Sequence, residues 1–285
     1  MSALGFALGY LGGGLLFAVN VMMVVQPAWF GLAGKAEAVR IAFLMVALWW
    51  ALFSLPVLLF VQDRGGTDRV APGQGFRMAW REFRETWQLL RRLRMAFVFL
   101  LAYWFYIDGV DTVVRMGVDY GLSLGFAAES LLTALLITQV VGFPAALWFG
   151  RLGERMGAKR AIWLAIAVYV LVVFWATRMA ESWEFYVMAV AIGLVQGGIQ
   201  AMSRALYARM IPAEHAGRLF GLYNMMGKFA AIIGPLLVGW VTLATDSARI
   251  GILSILVLFA IGGALLSRVD VGRGEREASD VGVAR

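Results

Sequence analysis

Eight stretches of this 285-residue chain are apolar and nearly free of charge for long enough to cross a bilayer. The hydrocarbon core is about 30 Å thick, and at about 1.5 Å per residue a helix needs roughly 17–25 residues to span it. In lipid every backbone N–H and C=O must find its partner inside the protein, which leaves only helices and closed barrels. The stretches lack the alternating pattern of barrel strands, so the sequence predicts an all-α membrane protein with eight transmembrane helices. They run over about 2–25, 39–61, 96–117, 127–150, 160–178, 183–208, 217–244 and 248–267, with edges where charges and turn residues cluster.

Composition narrows the chemistry. Hydrophobic residues make up 61% of the chain and charged residues only 15%, against about 25% charged in a soluble domain. The net charge of +7 lies between the apolar stretches rather than on a basic stripe, so the expected partner is the lipid bilayer and not nucleic acid. The chain has no Cys and a single His, His215. Disulfides, thiolate metal sites, cysteine nucleophiles and a Ser-His-Asp triad therefore have no material, and no enzyme, metal or cofactor is expected. The first basic residue is Lys35, so the charged start of a secretory signal peptide is missing and Met1 reads as close to the start of a span.

The connections alternate in charge. Nineteen of the 25 Lys and Arg residues, among them Arg160, Arg204 and Arg218 at span edges, lie in or next to the connections after spans two, four, six and eight, whereas the opposite connections and their edges hold only Lys35, Arg40, Arg178 and Arg249. By the positive-inside rule the basic set faces the cytoplasm and both termini lie there, as expected of a multi-pass protein of the plasma (inner) membrane.

Organisation follows from the same pattern: two spans in 1–61, a soluble connection in 62–95, six spans in 96–267 and a cytoplasmic tail in 268–285. From Gln62 to Gln74 the connection has the Gly, Pro and mixed charge of a flexible linker. Beyond it Phe76, Trp80, Phe83, Trp87 and Leu90 recur at helical steps among Arg77, Arg81, Glu82, Arg84, Glu85, Arg91 and Arg92. This is the pattern of an amphipathic helix in the membrane interface, with a regulatory or partner-binding helix as the alternative.

Between spans four and five the chain reads Gly150-Arg151-Leu152-Gly153-Glu154-Arg155-Met156-Gly157-Ala158-Lys159-Arg160. The glycines permit a tight turn, and the charges can pair with one another and with neighbouring helix ends. The segment resembles the signature loop of the major facilitator superfamily, which follows the second helix of each six-helix half. The segments Gly9 to Gly14, Tyr106 to Thr112, Ser203 to Tyr207, Gly221-Leu222-Tyr223-Asn224 and Gly234-Pro235 are similar to the vacuole-effluxer, autophagy-related branch of that superfamily.

The resemblance implies a partial major facilitator fold: the last two helices of the N-terminal half and a complete six-helix C-terminal half. The first four helices of the family's twelve have no counterpart. The chain is accordingly expected to begin inside a longer gene, to be truncated, or to draw those helices from another chain. The resemblance also implies secondary transport of a small polar solute by alternating access. Fungal members are linked to amino-acid export from the vacuole, and a proton is the expected coupling ion. Gly150, Glu154, Arg155, Gly157, Lys159 and Arg160 would form a cytoplasmic gate, or else merely a short basic loop.

Polar residues inside spans are the remaining site candidates, since charge in hydrocarbon is costly and turns toward a cavity or a partner. Asp108, Asp111 and Arg115 share one helical face. Asp111 with Arg115 reads as an ion pair that leaves Asp108 free for a proton or a substrate amine, with a solvated turn at the outer boundary as the alternative. Tyr103 and Tyr106 would add hydroxyls there or belong to an interfacial belt. Lys228 sits inside span seven one turn after Asn224, facing a cavity, held in a structural salt bridge or snorkelling to the cytoplasmic side. Gln196 and Gln200, one turn apart among Gly193, Gly197 and Gly198, offer amides to a ligand or to a neighbouring helix. Glu129 reads as a helix-start acid. The rival to a transporter is a non-transporting membrane scaffold that requires a partner chain.

Overall fold

The computed structural model describes residues 2–61 and 75–283. The expected linker from Gln62 to Gln74 lies outside them. Twelve α-helices occur among the described residues: α1 (Ser2–Val25), α2 (Lys35–Phe60), α3 (Gly75–Arg92), α4 (Arg94–Ser123), α5 (Ala128–Met156), α6 (Ala158–Ala176), α7 (Ser182–Arg209), α8 (Ala216–Phe229), α9 (Ile233–Thr245), α10 (Ala248–Leu253), α11 (Ile255–Ser267) and α12 (Val271–Val283). Eight segments among them are long and apolar enough to cross a membrane, with α8–α9 and α10–α11 each serving as one. The chain is an all-α, multi-pass integral membrane protein.

Chain contacts define two compact units, residues 12–84 and residues 1–11 with 85–285. In the smaller unit α2 buries only Ala38, and Trp50, Leu58 and Phe60 are each more than 70% exposed. An apolar surface of this kind belongs against lipid tails or further helices. The first part of α3 likewise exposes Phe76 and Trp80 beside Arg77 and Arg81, as an interfacial helix does.

The larger unit holds the core. Its closest helix pair is α5 with α7, and the sequence makes the approach possible. A Cβ on Gly193 would stand 2.9 Å from the Thr138 carbonyl oxygen, and one on Gly197 3.0 Å from the Ala146 methyl. Only glycine lets the two backbones meet there, the small-residue packing that spans use in lipid. An aromatic column of Phe99, Tyr103, Tyr207 and Tyr223 joins α4, α7 and α8, with Tyr103 and Tyr223 stacked at 4.3 Å between ring centroids. Tyr103 and Tyr106 are thus core residues, not belt residues.

Three expectations need correction. The segment 150–160 is not a loop: α5 runs on to Met156, and Gly157 alone separates it from α6. Gly157 adopts φ 88° and ψ 143°, a conformation essentially restricted to glycine. Span seven is not continuous, since residues 230–232 interrupt it. Pro235 has no N–H for the Ala231 carbonyl and its ring crowds that oxygen, so the helix opens one turn earlier. The segment after Ser267 is not a plain tail. Asp270 accepts the Arg273 N–H at 3.0 Å and starts α12, which docks through Gly274 on Met210 and Met95.

Candidate functional site

Charge in the larger unit is organised at one end and in the middle. At the end that carries the basic connections, Lys159 Nζ donates to the carbonyls of Ser267 and Val269 at 3.1 and 2.7 Å. A cation at the last carbonyls of α11 satisfies orphan acceptors and the negative end of the helix dipole. Arg209 pairs with Glu275 at 2.6 Å, and Glu277 accepts the Met95 N–H at 3.0 Å. These bonds fasten α12 to the end of α7 and the start of α4. Of the six gate candidates, Lys159 reaches a neighbouring helix end. Gly150 lies against Ala3, and Gly157 makes the turn. Glu154, Arg155 and Arg160 form no ion pair or side-chain hydrogen bond with one another.

In the middle of the unit the break in span seven is the organising feature. Gly234 N–H would bond the Ala230 carbonyl in an unbroken helix. Here it donates instead to both carboxylate oxygens of Asp108 on α4, at 3.0 and 3.1 Å. The Thr112 hydroxyl donates to the same carboxylate at 3.4 Å. Asp108, 1% exposed, therefore caps the start of α9 from another helix, where a negative charge meets the positive dipole end. It is not the free group that the sequence suggested. The expected Asp111–Arg115 salt bridge does not form either; Arg115 is exposed and Asp111 half-buried.

Lys228 lies in the last turn of α8 on the other side of the break and is exposed, as is Asn224 one turn before it. Asp111 lies within electrostatic reach of Arg115 and Lys228 and of Tyr10, Tyr103 and Tyr169. Tyr169 is fully buried on α6, and its hydroxyl has no hydrogen-bond partner.

A cleft of about 680 Å³ opens beside this cluster, lined by Gly5, Phe6, Gly9 and Tyr10 of α1, Gln139 of α5, and Gln200 and Arg204 of α7. Gln200 reaches it as a predicted site residue; Gln196 is half-buried outside the lining. Gln139, Tyr10 and Arg204 escaped the sequence reading. Arg204, counted by charge with the connection after span six, lies within α7, which runs on to Arg209. Its guanidinium lies 5.3 Å from the Phe220 ring centroid, a cation–π contact that fixes the head without neutralising it. The signal was its place inside the run Ser203 to Tyr207, one turn after Gln200.

Ser203 Oγ is 2.6 Å from the Ile199 carbonyl and 2.7 Å from Tyr106 Oη. The single serine proton goes to the carbonyl, so Tyr106 is the donor to Ser203. The residues of the separate motifs thus meet in space: Tyr106 with Ser203, Asp108 with Gly234, and Tyr207 with Tyr223.

The chain is 36% identical over 271 residues to the uncharacterized MFS-type transporter YxiO of Bacillus subtilis, a match covering 94% of this chain and 63% of that protein. It is 27% identical over 304 residues to autophagy-related protein 22 of Cryptococcus neoformans, covering 98% and 54%. With autophagy-related protein 22 of Yarrowia lipolytica it shares 26% identity over 311 residues, covering 98% and 51%. The chain therefore spans between half and two thirds of the length of these relatives. Residues 1–279 match the family described as vacuole effluxer Atg22 like, and the chain belongs to that family.

Proposed function

We infer that the chain supplies the C-terminal half, and part of the N-terminal half, of a secondary transporter that moves a small polar solute by alternating access. The observation that carries this reading is the cleft of Gln139, Gln200, Arg204 and Tyr10 within an otherwise apolar helical unit. Amides, a phenol and an unneutralised guanidinium are costly in lipid and suit a hydrated solute. Transporters of this kind bind solute near the midplane beside interrupted helices, and the break at 230–232 with Lys228 and Asp108 at its two ends fits that arrangement.

An amino acid suits the charges: its carboxylate on Arg204 or Lys228, its ammonium on Asp111. Asp111, with no hydrogen-bond partner of its own, is also the natural carrier of a coupling proton. With the basic end cytoplasmic, Glu154, Arg155 and Arg160 are free to latch that side against the other half. The family name and that of the Bacillus relative point the same way.

The test is flux in proteoliposomes carrying the purified chain together with the N-terminal helices of a relative, using labelled amino acids with and without an imposed pH gradient. Gradient-dependent uptake or release above that of empty vesicles is expected. The second reading is a non-transporting scaffold that needs a partner chain, and the same assay tests it. No flux even with those helices supplied would establish it instead.

A further inference from the structure

We propose that the basic end of the larger unit binds an anionic phospholipid in a cleft between the end of α3, the start of α4 and α12. The cleft, about 380 Å³, is lined by Arg91, Arg94, Met95, Phe97, Val98 and Arg273. Three guanidiniums from three elements converge there. Arg273 pairs with Glu277 at 3.0 Å, and the same carboxylate takes up the Met95 N–H. Arg91 and Arg94 are exposed and have no acidic partner among the described residues. Two acids stand beside the three bases, and both are engaged, Asp270 as the cap of α12 and Glu277 on Arg273 and the Met95 N–H, so the charge of Arg91 and Arg94 is uncompensated at the dipole-positive start of α4.

Its depth selects the ligand. Arg94 is the first residue of α4, and the run that follows it, from Met95 to Ile107, is without charge. Arg94 thus stands where a span leaves the headgroup region for hydrocarbon. Met95, Phe97 and Val98 lie within its next turn, at the level where acyl chains begin. A phosphodiester on Arg91 and Arg94 with its first methylenes along Phe97 and Val98 matches both halves of the lining. Basic pockets at helix ends hold anionic headgroups in this manner, and guanidinium forks suit phosphate oxygens. A soluble phosphate would use only the polar half.

Native mass spectrometry of the full chain, delipidated and then offered phosphatidylglycerol or phosphatidylcholine with the same acyl chains, tests the site. Retention of phosphatidylglycerol over phosphatidylcholine by roughly tenfold or more is expected. The double variant R91Q/R94Q, which leaves the Arg273–Glu277 pair intact, should lose that preference while keeping wild-type helicity and melting temperature. R249Q, on a different connection, should keep the preference. Equal retention of the two lipids by the wild type, or an undiminished preference in the double variant, would overturn the proposal. Displacement of the lipid by millimolar inorganic phosphate would overturn it too, by making the cleft a simple anion site.

Discussion

The Asp108 carboxylate on α4 accepts the Gly234 backbone N–H through both of its oxygens, at 3.0 and 3.1 Å, across 126 residues of sequence. A half-helix that begins inside an apolar bundle has unpaired N–H groups and no water to satisfy them. Removing the acceptor therefore leaves a buried donor bare, a loss of about 1–3 kcal/mol. D108A is expected to lower the melting temperature in detergent clearly. D108N, which keeps one carbonyl acceptor of the same shape, should lose less. Equal melting of wild type and D108A would show that the cap contributes nothing to the fold.

At Gly157 the whole connection between α5 and α6 is one residue at φ 88° and ψ 143°. Any side chain there is strained by about 1–3 kcal/mol. G157A should reduce melting temperature and yield, whereas G239A should melt at or above wild type, since a Cβ on Gly239 meets nothing within 4 Å. Differential scanning fluorimetry on the two variants side by side decides the point; similar melting of both would refute the strain.

The helices were legible in the sequence because bilayer thickness imposes a length that apolar runs must meet, and all eight spans occur. Less legible was what happens inside a run. Pro235 marks a place where a helix loses a bond, but nothing local shows that the break comes at 230–232 or that the freed Gly234 N–H finds its acceptor on α4. Asp108 read as a free acid because nothing local reveals that Gly234, on another helix, brings it a donor. Arg204 read as a connection charge because the positive-inside count took the basic end of span six together with the connection that follows it, although α7 carries Arg204 more than a turn before its end. The start of α12 was hidden by weak hydrophobicity, although Asp270 three residues before Arg273 was an N-cap signal.

Lys159 closes the end of α11 by donating to Ser267 and Val269. The chain has no native Cys, so a single introduced thiol reports cleanly on that contact. Val269 is 2% exposed, and V269C should react slowly with a maleimide. In a K159M background the charged hydrogen bonds are lost, worth about 1.5–3 kcal/mol each, and labelling should speed up roughly tenfold or more. An unchanged rate would mean that the α5–α6 turn and the end of α11 are held by packing alone.

Gln196 and Gln200 differ by one helical turn, yet only Gln200 lines the cleft with Arg204. If solute binds there, the two amides must behave differently. Loss of a hydrogen bond to a charged group costs about 1.5–3 kcal/mol, so Q200A should weaken solute binding or flux by roughly 10- to 100-fold. Q196A should stay near wild type. R204A should abolish flux while membrane insertion, followed by protease protection and yield, is retained. R204K, which keeps the charge but loses the planar fork and its seat over Phe220, should fall between. Flux measured in proteoliposomes across the four variants provides the comparison. Equal losses in Q196A and Q200A would point to helix packing as the role of both glutamines and remove the cleft from the transport path.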